Sequence, residues 1–179
     1  MVLFFLADGF EEAEAILPID ICRRAGLEVC TVGVTGKTVT GAHGITVEAD
    51  CLLSQVQDYK PCAVVLPGGG KGTENLDASV EVRAMVQACA QRGGVVAAIC
   101  AAPSVLGKMG LLRGVKATCF DGFEPFLEGA EICHCPVVRD GRFITAWGAG
   151  AAAEFGFELV KVLCGEEQAT QLHRTMKFF

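Results

Sequence analysis

The sequence predicts an α/β fold whose sheet is mostly parallel and is covered on both faces by helices. Three observations carry this. Residues 2–7, 63–66 and 95–99 are continuous apolar runs of strand length, the pattern of strands buried on both faces. Segments with helical periodicity alternate with these runs, as in βαβ units. The run at 95–99 passes straight into Cys100 and a proline-containing helix start, a sharp strand-to-helix turn of the kind that forms a nucleophile elbow.

Taken in order, the first strand ends at Asp8-Gly9, and a helix is expected from about Glu11 to Ala25. Its apolar stripe is Ile16, Leu17, Ile21 and Cys22, Gly26 stops it, and Pro18 predicts a kink or a shifted start. Residues 28–34 read as a second strand. Residues 38–39 and 45–48, separated by Gly41 and Gly44, read as a small hairpin. The strand at 63–66 runs into Pro67-Gly68-Gly69-Gly70, read as a turn, and a helix is expected over 79–91. After Cys100, residues 101–109 read as a helix with Pro103 in its first turn, where proline is tolerated. Strands are expected at 117–120, 133–138 and 142–146, the last two joined by Asp140-Gly141. Two helices, about 150–163 and 166–176, close the chain. No repeat or linker interrupts the 179 residues, so one domain over 1–179 is expected.

Composition narrows the function classes. A net charge of −6, with 15 scattered basic residues, argues against nucleic acid as a stable partner. No apolar run approaches the roughly 18 residues that a membrane span needs. The start MVLFFLA lacks a basic region and meets Asp8, Glu11 and Glu12 at once, so it reads as a buried strand of a cytoplasmic protein. In that reducing compartment the ten cysteines should be free. Cys22, Cys30, Cys51, Cys62, Cys89, Cys119 and Cys164 lie in or beside apolar stretches and read as packing residues.

In open α/β sheets ligands bind beyond the carboxyl ends of the strands. There the sequence places the acidic turn Glu11-Glu12-Ala13-Glu14, the glycines Gly68-Gly69-Gly70, and Cys100. The helix after Cys100 should lower its thiol pKa, and Ala98, Ala101 and Ala102 leave room for a substrate or oxidant. A buried structural cysteine is the bland alternative. The glycine N–H groups could line an oxyanion site, although a plain turn explains them equally well. Lys71 does not complete a phosphate loop, and no dinucleotide fingerprint follows the first strand, so no cofactor is expected. Glu14 reads either as a solvated helix start or as a carboxyl reaching Cys100. In the second case one proton would be shared, because two such charges repel by several kcal/mol. Cys133-His134-Cys135 could suggest a metal. On a strand, however, the thiols would face away from the histidine, so no metal site is expected. His173 reads as packing or surface, and His43 as a loop residue.

The chain resembles the ThiJ/PfpI superfamily, in its DJ-one branch, over nearly its whole length. The carriers are Gly9-Phe10-Glu11-Glu12-Ala13-Glu14, continuing through Pro18-Ile19-Asp20 to Gly26, then Val65-Leu66-Pro67-Gly68-Gly69, Glu74-Asn75-Leu76 and Ala97-Ala98-Ile99-Cys100-Ala101-Ala102-Pro103. The resemblance implies a flavodoxin-like three-layer sandwich, a homodimer, and Cys100 as nucleophile. It further implies that Glu14 hydrogen-bonds the thiolate or its sulfinate, and that the amides of Gly68, Gly69 and Ala101 form the oxyanion pocket. Implied activities are a glutathione-independent glyoxalase turning methylglyoxal into lactate and a deglycase acting on early glyoxal adducts. The alternative is a redox sensor or chaperone in which Cys100 becomes a sulfinate. Protease-like members carry a histidine directly after the nucleophile, where this chain has Ala101, so peptidase activity is not expected. Whether His43 or His134 takes part stays open. An amidotransferase role is disfavoured because no clear His and Glu pair follows the nucleophile.

Overall fold

A computed structural model describes residues 1–178. Along the chain run β1 (Val2–Leu6), α1 (Glu12–Arg24), β2 (Val29–Gly33), β3 (Thr38–Thr40), β4 (Thr46–Glu48), β5 (Cys51–Leu52) and β6 (Ala63–Leu66). Next come α2 (Gly70–Ala78), α3 (Val80–Gln91), β7 (Val95–Ile99), α4 (Pro103–Lys108), β8 (Lys116–Ala117) and β9 (Glu131–Ile132). Finally, β10 (Val137–Asp140) and β11 (Phe143–Ala146) precede α5 (Ala152–Cys164) and α6 (Glu166–Thr175).

Seven strands form one sheet in the order β10-β11-β7-β6-β1-β2-β5, parallel throughout except for the β10/β11 hairpin. Every side chain of β1, β6 and β7 is buried. Those strands are apolar at successive positions because both faces are covered. On one face, Phe4, Leu6, Val65, Ala97 and Ile99 join Ile21, Phe155 and Leu159 of α1 and α5. On the other, Leu3, Phe5, Val64, Leu66 and Val96 join Leu76, Val86, Cys89 and Leu106 of α2, α3 and α4. The result is the flavodoxin-like three-layer α/β sandwich. The chain grows from β1 outward through β2 and β5, then restarts at β6 on the other side of β1. The β1/β6 boundary is therefore the topological switch point, where a crevice opens beyond the strand ends.

Several expectations need correction. Residues 70–78 form α2 rather than part of a turn, and the helix read over 79–91 is preceded by it. Gly70 and Gly72 are poor helix formers, which hid the element. Gly72 serves close approach: its N–H donates to the Gly9 carbonyl at 3.1 Å, and a side chain there would strike the Phe10 backbone. Pro18 does not delay the start of α1, which runs through it. The strand expected at 117–120 is only two residues long, because Thr118 N–H turns to the Thr145 hydroxyl and Phe120 N–H to the Cys100 carbonyl. Cys133, His134 and Cys135 lie between β9 and β10 rather than on a strand, with Pro136 unable to donate to a ladder. The geometric premise used to dismiss a metal there thus fails, although the Cys133 and Cys135 thiols both donate to backbone carbonyls. All ten cysteines are free. Of those read as packing residues, Cys62 is exposed, its thiol donating to the Met1 carbonyl.

Candidate active site

Three neighbouring strands deliver the parts. β7 ends at Ile99, and the next residue, Cys100, adopts φ = +65°, a left-handed conformation that costs a side-chain-bearing residue free energy. Hydrogen bonds on both sides hold it there. The Cys100 N–H donates to the Ala146 carbonyl, and the Phe120 N–H donates to the Cys100 carbonyl, each at 2.8 Å. The thiol is thereby presented at the sheet edge over the start of α4.

β1 leads into α1, whose first turn carries Glu14. The bland reading of Glu14 as a solvated helix start is overturned: it is 1% exposed. Its Oε2 accepts the Gly68 N–H at 3.0 Å, and its carboxyl and Cys100 meet on either side of Gly68. Between them, after β6, sits Gly68. A Cβ at that position would overlap both the Glu14 carboxylate and the Cys100 Cβ, so only glycine lets the two approach. Gly69 has φ = +88°, and a side chain there would collide with the Gly9 carbonyl.

The electrostatics differ from those expected of an activated thiol. Burial pushes the Glu14 carboxyl up to about 7, with the Glu11 charge adding to the shift, while its bonds to Cys100 and Gly68 act against it. Burial and the Glu14 charge together push the Cys100 thiol up to about 12. That direction is opposite to the lowering expected from the helix after Cys100. α4 is only six residues long and begins three positions after the sulfur, so its dipole does not outweigh desolvation beside a carboxyl. The backbone amides of Gly69 and Ala101 do favour the anion on sulfur, and they are placed to hold negative charge that develops there. The Gly68 amide is occupied by Glu14 instead.

Sequence reasoning missed part of the rim. Phe120 and Trp147 are 51% and 41% exposed and flank the backbone segments bonded to Cys100, and Gly148 lies between Phe120 and the Glu14 carboxyl. Their signal was only that apolar rings sat in segments read as strand or loop. Among the described residues, no hydrogen bond or ion pair ties His134 to the site. His43 is bound to the first turn of α1: its Nδ1 lies 2.9 Å from Glu12 Oε2 and 3.3 Å from Glu11 Oε2. Glu11, Glu12 and His43 are the one cluster of three potential metal ligands among the described residues. Glu12 Oε1 is used structurally, accepting the backbone N–H groups of His43 and Ile45 and so fastening the loop between β3 and β4 to α1.

Known proteins share this architecture. Protein dj-1beta of Drosophila melanogaster is 36% identical over 173 residues, covering 95% of this chain and 92% of its own. Deglycase PH1704 of Pyrococcus horikoshii is 31% identical over 164 residues, covering 90% of this chain and 98% of its own. A crystal structure of a DJ-1 superfamily protein from Salmonella typhimurium superposes with a TM-score of 0.95 at 34% identity, covering 99% of this chain and 98% of that one. The DJ-1/PfpI family matches residues 1–162, and the chain belongs to that family.

Proposed function

We propose that the chain is a cysteine-dependent enzyme acting on reactive dicarbonyls, as a glutathione-independent glyoxalase, or on their early adducts, as a deglycase. The observation that supports it most is the buried Glu14 carboxyl set beside a cysteine held at a strained elbow. A group titrating near neutral pH can take the Cys100 proton as the sulfur attacks, so the thiol need not be ionised beforehand. That one relative carries the name deglycase points the same way.

With methylglyoxal, the Cys100 sulfur adds to the aldehyde carbon and gives a hemithioacetal, while Glu14 accepts the thiol proton. The oxygen charge formed on addition is met by the Gly69 and Ala101 amides. Glu14 returns that proton to the new alkoxide and, ionised again, moves a proton from the former aldehyde carbon to its neighbour through an enediol, leaving a lactoyl thioester on Cys100. Water hydrolyses that thioester to lactate and restores the thiol, so no external oxidant or reductant is consumed. The proposal includes a homodimer, for which a solution molar mass about twice the 18.8 kDa of one chain is expected.

The test is methylglyoxal consumption with D- and L-lactate detection, without glutathione and under reducing conditions. Multiple turnovers are expected for the natural chain. Loss of about 10³-fold or more is expected in Cys100→Ser and at least about 10²-fold in Glu14→Gln. Full turnover in Cys100→Ser would sink the reading. A solved neighbour described as oxidized, from Toxoplasma gondii at 34% identity, favours a second reading in which Cys100 becomes a sulfinate hydrogen-bonded by protonated Glu14. Peroxide should then add two oxygens to the intact mass of the natural chain and none to Cys100→Ser.

A further inference from the structure

Outside the Cys100 site, one pair of nucleophilic groups is placed for chemistry with each other. β5 is the edge strand of the large sheet and pairs with β2 in a register that sets Cys51 opposite Val32. Cys30 lies two residues before Val32 and points to the same face. Its Sγ is 2.7 Å from that of Cys51. Both thiols are half-buried against the same apolar layer, and both donate to the Thr31 carbonyl. The residues beside them lock the spacing. Thr31 N–H and hydroxyl each lie 2.8 Å from Asp50 Oδ2, and the Asp50 N–H returns to the Thr31 hydroxyl at 2.8 Å. Arg23 and Lys37 hold Asp50 from outside. To become bonded, the sulfurs have to close by only about 0.7 Å.

We propose that Cys30 and Cys51 form a second reactive site, a dithiol that a hydroperoxide closes into an intramolecular disulfide, covalently fastening the edge strand β5 to β2. One thiol is oxidised by hydrogen peroxide to a sulfenic acid, releasing water. The second sulfur then attacks the first, forming the S–S bond and expelling a second water. Two thiols and one peroxide thus give one disulfide and two waters. In the sheet order β7, β6, β1, β2, β5, three strands separate β5 from the strand that carries Cys100, so this site acts apart from it. The cross-link closes a loop between two strands that otherwise share only a two-residue ladder. It therefore stabilises the part of the sheet with the fewest interstrand bonds.

The test uses the full chain carrying Cys100→Ser, reduced and then treated with hydrogen peroxide, denatured, and capped with N-ethylmaleimide. The expected product has lost two hydrogens and two alkylatable thiols, and its digest contains one linkage, between Cys30 and Cys51. A thiol reductant should reverse it. The oxidised form should melt roughly 5 °C or more above the reduced form. Cys30→Ala and Cys51→Ala should each remain folded by circular dichroism under reducing conditions and lose the linkage. Free thiols at both positions after peroxide, links scattered over other cysteines, or a melting temperature unchanged by the cross-link would each overturn the proposal.

Discussion

Glu14 holds a carboxyl where water does not reach, and its titration bears on stability as well as on chemistry. Its folded pKa of about 7 lies above the ordinary 4.5, so between these values the folded chain keeps a proton that the unfolded chain releases. Folding stability should fall as pH rises through that window, by up to about 3 kcal/mol. His43 contributes a slope of the same sign above its ordinary value of 6.5, because its proton is held by Glu12 and Glu11. The quantity to measure is therefore the difference between the natural chain and Glu14→Gln in denaturant unfolding from pH 5 to pH 8. The variant should gain relative to the natural chain as pH rises, and parallel profiles would contradict the raised pKa. Legibility at this scale was uneven. Cys100 could be found because its place between an apolar strand and a proline-marked helix start is a local pattern. The thiol's ionisation could not, because it depends on a carboxyl 86 positions away in sequence and on burial that only the folded sheet creates.

At the scale of elements, α1 and α5 meet where Pro18 and Ile21 face Gly156. A Cβ on Gly156 would come 3.1 Å from the Pro18 Cα and 2.9 Å from the Ile21 Cδ1. Gly156→Ala gains helix propensity inside α5 yet must force these helices apart. A net loss of about 1–3 kcal/mol is expected from chemical denaturation, with little change if Ile21 is also shortened to Val. The same contact bears on how α1 runs through Pro18. A proline inside a helical pattern signals a break, but tight packing against a glycine on α5 outweighs the one missing hydrogen bond. α2 was missed for the complementary reason, since its glycines look like a turn, and Gly72 is there for the sake of Gly9 and Phe10. The central strands β1, β6 and β7 were legible almost to the residue because double-sided burial leaves an unbroken apolar run. The two-residue β5, which depends on its partner β2, left no such trace.

For the whole molecule, both apolar layers rest on opposite faces of one sheet, and neither keeps a core without it. Calorimetry at fixed protein concentration under reducing conditions should therefore show one transition, with van't Hoff and calorimetric enthalpies in agreement; two resolved transitions would contradict a shared core. The candidate site depends on the same unity. Glu14 from the first turn of α1, and Gly68 and Cys100 from the turns after β6 and β7, meet only across the switch point. Most of the sheet's contacts of this kind join distant parts of the chain, and such pairings form late because loop closure must come first. A ribosome releases Glu14 and Gly68 well before Cys100. Until β7 docks beside β6, Cys100 has neither the Glu14 carboxyl nor the Gly69 amide beside it, and it is one of ten ordinary thiols.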